Sequence, residues 1–347
     1  MADEQQNDPL RGVFDVEEVR AQYFNHTALR EPPYRLLRVD PGRNLQGRWY
    51  GVVDNSGEDT PSVRGLYPSV TTVVDGTTPT SERLIQWRIS QGERYWDVLN
   101  EKAEYGTMFH MLVAHLLLHE QIDISPSGIE ELVLGSSRQW KFYTDAWLTR
   151  LASDLLCVWR WMSEWKIAPL AIEVGLAGSE QLPVAGTIDL VCAVTDPKTG
   201  LESYAVVDFK SGANFYPGHA VQLDFYRLLV EANFGYDRDL LRVFNVGPKD
   251  WRREPGYNIA EWSLQDAGAL ADGCLRWWSQ FDLGTEQLKR KVRLFGGGMK
   301  GWDSPTMLHK NNGQVDLYSD TTIGEMILAD LASNYLVPTE QHHDESI

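Results

Sequence analysis

Residues 184–226 decide the fold: VAGTIDLVCAV (184–194), the turn DPKTG (196–200), SYAVVDFKSG (203–212) and AVQLDFY (220–226). Two apolar, largely β-branched runs joined by a Pro/Gly turn predict a pair of antiparallel strands. Asp189 stands between Ile188 and Leu190, which turn to the opposite, packed face, while Asp208 and Lys210 flank Phe209. Strand side chains alternate, so Asp208 and Lys210 share one face and Phe209 takes the other. Paired through the turn, the strands bring Asp189 within reach of Asp208. Two carboxylates that close repel unless a divalent cation lies between them. Mg²⁺ favours such sites, with one or two carboxylates, retained waters and phosphate oxygens. An ion there lowers the pKa of a bound water and neutralises charge on a phosphate, with Lys210 placed to orient the nucleophile or steady a pentavalent transition state. For any one of these residues a structural Asp–Lys pair is the commoner explanation; the ordered set is what points to chemistry.

Outward from this stretch the periodicity changes. LAIEVGLAG (170–178) reads as a further strand upstream, carrying Glu173 between Ile172 and Val174. Before it, Trp147, Leu151, Leu155, Val158, Met162 and Trp165 recur at spacings of three and four, which predicts a core helix over Arg138–Lys166, ended by Pro169. Downstream, Gly218–Phe234 reads as a helix and Asp239–Val246 as a strand. The order is therefore helix, three strands, helix, strand. An earlier apolar helix, Ala103–His119, contains GTMFHMLVAHLLLH (106–119) and carries His110, His115 and His119.

The flanks are plainer. Met1 to about Leu10 reads as a disordered tail, Val13–Phe24 as a short helix, Tyr34–Val53 as a β-hairpin and Leu66–Val74 as an extended run. Thr80 or Ser81 caps a helix through Ile89. Tyr257–Trp262 adds an edge strand and Leu264–Phe281 a helix. These readings divide the chain into an accessory segment (1–66), a core (67–262) and a C-terminal helical extension with a tail (263–347).

Composition bounds the rest. In 347 residues, 43% hydrophobic and with 13 Trp, a sizeable core can be buried. The 32 Lys and Arg stand against 49 Asp and Glu, a formal charge of −17 that opposes a polyanionic partner at long range. Any such partner must find its positive charge locally, in a groove or in bound metal. The densest basic run is QLKRKVRLF (287–295), where Lys289, Arg290, Lys291 and Arg293 read as a solvated helix face or as a phosphate contact, with Trp302 nearby as a stacking candidate. Cys157, Cys192 and Cys274 are scattered and form no CxxC pair, so neither a zinc knuckle nor a disulfide framework is expected. The first residues lack a basic segment followed by an apolar run, and no apolar stretch is long enough to span a bilayer, so no membrane is expected and cytoplasm is the default location. GGGMKG (296–301) lacks the Gly-Lys-Ser/Thr ending of a phosphate-binding loop.

GTIDLV, VVDFKSG and QLDFY, preceded by a helix bearing GTMFH, resemble the RecB-like branch of the PD-(D/E)XK nuclease superfamily, which includes phage and CRISPR-associated exonucleases. The resemblance covers about Tyr67 to Val246. It implies an α/β, restriction-endonuclease-like core of order αβββαβ, a central mixed sheet flanked by helices, with N- and C-terminal extensions. It makes Asp189 the first acidic metal ligand, Asp208 the second and Lys210 the catalytic lysine, with the backbone carbonyl of Phe209 as a further ligand. Gln222 and Tyr226 match a Q-x-x-x-Y motif, and His110 matches a histidine that completes the metal site. Glu173 resembles an acidic position that binds metal through water, though a solvated strand residue fits it equally well. His115 and His119 form a rival i, i+4 pair, but without the glutamate of HExxH. Relatives with an iron–sulfur cluster need four clustered cysteines, so no cluster is expected here.

The expectation is a Mg²⁺- or Mn²⁺-dependent DNase, an exonuclease acting on single- or double-stranded DNA ends in recombination, repair or phage replication, alongside a recombinase or single-strand-binding protein. Two alternatives stand beside it: a DNA-end-binding or assembly protein on a nuclease scaffold, and a structure-specific endonuclease.

Overall fold

The strands predicted around Asp189 and Asp208 lie at the centre of a five-stranded sheet. The computed structural model describes residues 11–13, 32, 34–39, 47–54, 62–80, 82–118, 121–136, 140–212, 214–263, 266–280, 310–311 and 314–315. Among these are the strands β1 (Arg11–Val13), β2 (Tyr34–Val39), β3 (Trp49–Asp54), β4 (Ser62–Pro68), β5 (Gln121–Asp123), β6 (Ala168–Ala177), β7 (Ala185–Thr195), β8 (Glu202–Phe209), β9 (Arg242–Lys249) and β10 (Gly256–Glu261), with a short pair at Lys310–Asn311 and Gln314–Val315. The helices are α1 (Val70–Thr77), α2 (Glu82–Gln91), α3 (Tyr95–Leu118), α4 (Pro126–Gly135), α5 (Asp145–Glu164), α6 (Pro217–Phe234) and α7 (Ala269–Gln280). The main sheet runs β10–β9–β8–β7–β6. β7 and β8 are antiparallel with Leu190 opposite Val207, β8 and β9 are parallel with Asp208 opposite Asn245, and β9 and β10 are antiparallel. This is the mixed sheet flanked by helices that the element order implied.

The β7–β8 turn is built as its sequence dictates. Asp196 Oδ1 accepts from the N–H groups of Lys198 and Thr199 at 2.8 and 3.2 Å, and Gly200 closes the turn at φ +72°, where a side chain is disfavoured.

Two compact units can be told apart. The first is built on Pro79–Val174 and Thr187–Leu270. In it, alternate residues of the sheet, Leu190, Cys192, Val194, Ala205, Val207, Phe209, Phe244 and Val246, join one core with α3, α4 and α5. Trp161 and Phe209 meet edge to face there, 5.7 Å between centroids, both almost fully buried. Such a pair contributes roughly 0.5–1.5 kcal/mol beyond its burial, and by anchoring Phe209 inward it fixes Asp208 and Lys210 on the other face. α6 packs there against β8 and β9. Its Asp224, fully buried, accepts from Arg227 Nη2 at 2.6 Å and from the N–H groups of Gly268 and Leu270 at 2.8 and 3.0 Å, satisfying orphan donors at the start of α7.

The second unit is built on Glu31–Thr78 and Gly175–Gly186. β2, β3 and β4 form an antiparallel three-stranded sheet, one strand more than the expected hairpin. Tyr34, Tyr50, Val52, Ala177 and Ala185 make a small core, and the Tyr34 hydroxyl accepts from Ala177 N–H at 2.8 Å.

Several predicted boundaries are corrected. The extended run Leu66–Val74 breaks at Ser69, whose hydroxyl accepts from Thr72 N–H at 3.0 Å and caps α1; Val70, Val73 and Val74 then bury one helical face. A cap plus a buried stripe outweighs β-branched propensity here. The helix expected from Arg138 begins only at Asp145, because the Glu104 carboxylate takes the N–H groups of Lys141 and Phe142 at 3.0 and 2.6 Å before the chain can wind. Its end comes before Pro169: Ile167 N–H bonds back to Met162 C=O at 3.0 Å, with Lys166 left-handed at φ +47°. α3 starts at Tyr95, two turns earlier than expected, and α4 was not foreseen. Val13 belongs to β1, while the remainder of the expected helix Val13–Phe24 lies outside the described residues, as do His119, Lys289, Arg290, Lys291, Arg293 and Trp302. Among the described residues no helix is long and apolar enough to cross a membrane.

Candidate metal centre and catalytic cluster

Asp208, next to last in β8, is the hub of the site. Only 2% exposed, its carboxylate accepts from Lys210 Nζ at 2.6 and 2.9 Å, from Gln222 Nε2 at 3.1 Å and from Asn245 Nδ2 at 2.5 Å. Each partner comes from a different element. Lys210 follows directly on β8, Gln222 projects from α6, and Asn245 sits opposite Asp208 on β9. Gln222 also accepts from Lys210 Nζ at 3.2 Å and donates to the Tyr226 hydroxyl at 2.9 Å, so the i, i+4 pair faces the strand end as its spacing implied.

The backbone around Lys210 is held as well. Lys210 N–H donates to Val246 C=O at 2.9 Å, and Gly247 lies so close that a Cβ there would stand 2.6 Å from the Lys210 carbonyl oxygen. Only glycine permits that approach.

A second group lies alongside. Asp189 Oδ2 accepts from Phe209 N–H at 2.7 Å and stands 3.4 Å from His110 Nδ1, which in turn lies 3.9 Å from Glu173 Oε1. His110, Glu173 and Asp189 each offer one ligand atom, all within 4.8 Å of one another. An imidazole with two carboxylates in that span fits a divalent first-row or alkaline-earth cation. Glu173 reaches the group from the middle of β6 with φ at +47°, a conformation that glycine favours and glutamate rarely adopts. Strain of this kind clusters at functional sites.

The electrostatics divide the acids by environment. Burial opposes ionisation of Asp189, but His110, Lys210 and the Phe209 N–H outweigh it and hold the carboxyl below its usual range. Burial raises Asp208, Lys210 pulls it back and Asp189 raises it again, leaving it at about 6. Glu173 is raised, chiefly by burial. Burial disfavours the charged form of His110, yet Asp189, followed by Glu173, lifts it to about 10. The two carboxylates thus favour a positive charge on or beside His110. His219 in the first turn of α6 goes the other way, down to about 4, through burial and the nearby Lys210.

His110, Glu173, Asp189, Asp208, Lys210, Gln222 and Tyr226 thus converge, in two touching groups. Sequence reasoning missed Asn245 and its own support, Trp262, whose Nε1 donates to Asn245 Oδ1 at 2.7 Å. The signal was present: Asn245, fully buried, interrupts the apolar strand VFNV (243–246). Asp224, two residues after Gln222, was quoted within QLDFY and serves the fold rather than this cluster.

Against known families, residues 85–281, more than half of the chain, match the one described as the PD-(D/E)XK nuclease superfamily. No curated protein matches the chain.

Proposed function

The chain belongs to the PD-(D/E)XK nuclease superfamily, and from that premise we propose that it is a Mg²⁺- or Mn²⁺-dependent DNase of the RecB-like branch, an exonuclease working on DNA ends. The observation that carries this reading is the Asp208–Lys210–Gln222–Asn245 cluster standing against the His110–Glu173–Asp189 group. Gln222, Tyr226 and His110 support the RecB-like branch, because all three face the same strand end.

His110, Glu173 and Asp189 would hold the cation, with Asp208 and the Phe209 carbonyl as further oxygen donors. When bound, a divalent cation supplies Lewis-acid polarisation of the phosphoryl oxygens and a nucleophile at neutral pH. The protein's own groups do the remainder. Lys210, held by Asp208 and Gln222, presents its ammonium where charge develops on the phosphate, already oriented before substrate arrives. Gln222 and Tyr226 keep that ammonium from swinging away, and Asn245 locks the Asp208 carboxylate in one plane. A binding protein on a retired scaffold has no reason to keep a half-buried lysine among buried carboxylates, where desolvation is costly.

The test is digestion of end-labelled linear and covalently closed circular DNA with Mg²⁺ or Mn²⁺. Receding linear ends with intact circles support an exonuclease, and nicked circles make it an endonuclease. Asp208→Ala and Lys210→Ala should abolish cleavage; retained metal-dependent cleavage by both purified variants would sink the site assignment.

A further inference from the structure

With a formal charge of −17, this chain repels a polyanion at long range, so phosphate contacts have to be local. Several arginines of the first unit are held by carboxylates: Arg160 by Glu164 and Glu254, Arg227 by Asp224, Arg238 by Glu231, and Arg242 by Asp196 and Glu261. The connection from β9 to β10, KDWRREPG (249–256), gathers three cations within five positions. Lys249, Arg252 and Arg253 are exposed and make no ion pair with a carboxylate among the described residues. Glu254 is occupied by Arg160, at 3.3 Å, which leaves Asp250 alone against three cations.

This connection is anchored. Trp251 packs against the main core and donates from Nε1 to Ser153 C=O at 3.4 Å, Cys157 Sγ donates to Lys249 C=O at 3.6 Å, and Arg160 Nη1 donates to Pro255 C=O at 2.5 Å. The cations line an open recess of about 460 Å³. Its place in the sheet is fixed by register. β9 runs parallel to β8 with Asn245 opposite Asp208, and Lys249 is four residues further on, about 13 Å along the strand at ~3.3 Å per residue. That span corresponds to about four nucleotide steps at the ~3.4 Å rise of one strand of B-DNA.

We propose that Lys249, Arg252 and Arg253 of the β9–β10 connection form a phosphate-backbone clamp, gripping the DNA roughly four nucleotides from the phosphate at Asp208. The proposal rests on the nuclease reading for its ligand, and its test separates the two. Fluorescence anisotropy with labelled single-stranded and duplex oligonucleotides, in EDTA, measures binding without cleavage. Arg252→Glu and Arg253→Glu should each raise Kd about ten-fold or more and flatten the log K against log salt slope by about one phosphate contact. Lys198→Glu makes the same change of charge in the β7–β8 turn, at the other end of the strands, and leaves both quantities near those of the wild type. If the two arginine variants move Kd and slope no more than Lys198→Glu does, or if the wild type binds neither oligonucleotide, the clamp is wrong. Wild-type digestion with Mn²⁺ judges the nuclease reading on its own: arginine-dependent binding without cleavage overturns that reading and keeps the clamp, while cleavage with arginine-independent binding does the reverse.

Discussion

Asn245 donates to Asp208 Oδ2 at 2.5 Å across the parallel β8–β9 pair, while its own carbonyl is held by Trp262 at 2.7 Å. A neutral amide fixed at both ends sets the plane of the carboxylate that Lys210 and Gln222 also grip. Asn245→Ala leaves a buried carboxylate oxygen and an indole N–H short of partners. It should lower kcat by about 10–100-fold, the range for residues that orient a metal-site ligand, and cost roughly 1–3 kcal/mol of stability. Steady-state cleavage together with urea unfolding separates the two effects, and unchanged kcat removes Asn245 from the catalytic arrangement.

Gly247 predicts a sharper dissociation between folding and activity. In Gly247→Ala the new methyl meets the Lys210 carbonyl, so the end of β8 must move by several tenths of an ångström. Activity should fall by about an order of magnitude or more, since displacements near 1 Å cost on the order of 100-fold, with substrate Kd little changed. Wild-type cleavage by this variant would show that Lys210 tolerates displacement.

Glu173 carries backbone strain and a proposed ligand together. Glu173→Gly relieves the left-handed conformation, worth roughly 1 kcal/mol, while removing the carboxylate; Glu173→Gln removes the charge and keeps the strain. The glycine variant should therefore melt above the glutamine variant in EDTA, and both should bind Mn²⁺ more weakly than the wild type by calorimetry. Full Mn²⁺ affinity in both would exclude Glu173 from the ligand set.

Asp154 predicts a pH dependence away from the site. It is 9% exposed, accepts from the Tyr105 hydroxyl at 2.6 Å and is raised to about 6, principally by burial. Its folded pKa exceeds the unfolded value of 3.8, so folding takes up a proton between the two. The carboxyl adds no penalty below about pH 4 and destabilises progressively as pH rises through 6, by of order 2–3 kcal/mol at most. Asp154→Asn, which keeps an acceptor for Tyr105, should be more stable than the wild type by about 1 kcal/mol or more above pH 7 and equal to it below pH 4. Chemical denaturation across that range checks the crossover, and a constant difference would contradict it.

The legible part of this protein was the part written in local periodicity. Asp189, Asp208 and Lys210 stand out because charge in a period-two apolar run needs an explanation, and Gln222 with Tyr226 because their spacing is one helical turn. Asn245 stayed hidden because its meaning depends on a parallel pairing between residues 37 positions apart, which no local pattern encodes. α1 was misread for a related reason. Ser69 and Thr72 are held by the distant carbonyl of Arg48, at 2.8 and 3.0 Å, and that tie decides between helix and strand for a β-branched run. The left-handed turn at Glu173 had no sequence signal, since glutamate is seldom found there.

Helix α6 imposes a discipline on mutagenesis of this chain. Within QLDFYR (222–227), Gln222 and Tyr226 face the strand end, while Asp224 lies about 200° around the axis and ties Arg227 and the start of α7 together. A linear motif therefore interleaves two independent instructions, one for the reaction and one for assembly of the fold. An inactive Asp224 variant would mimic a catalytic lesion in any assay that reads turnover alone. Loss of function at Asp224 counts as chemistry only where the melting transition is intact.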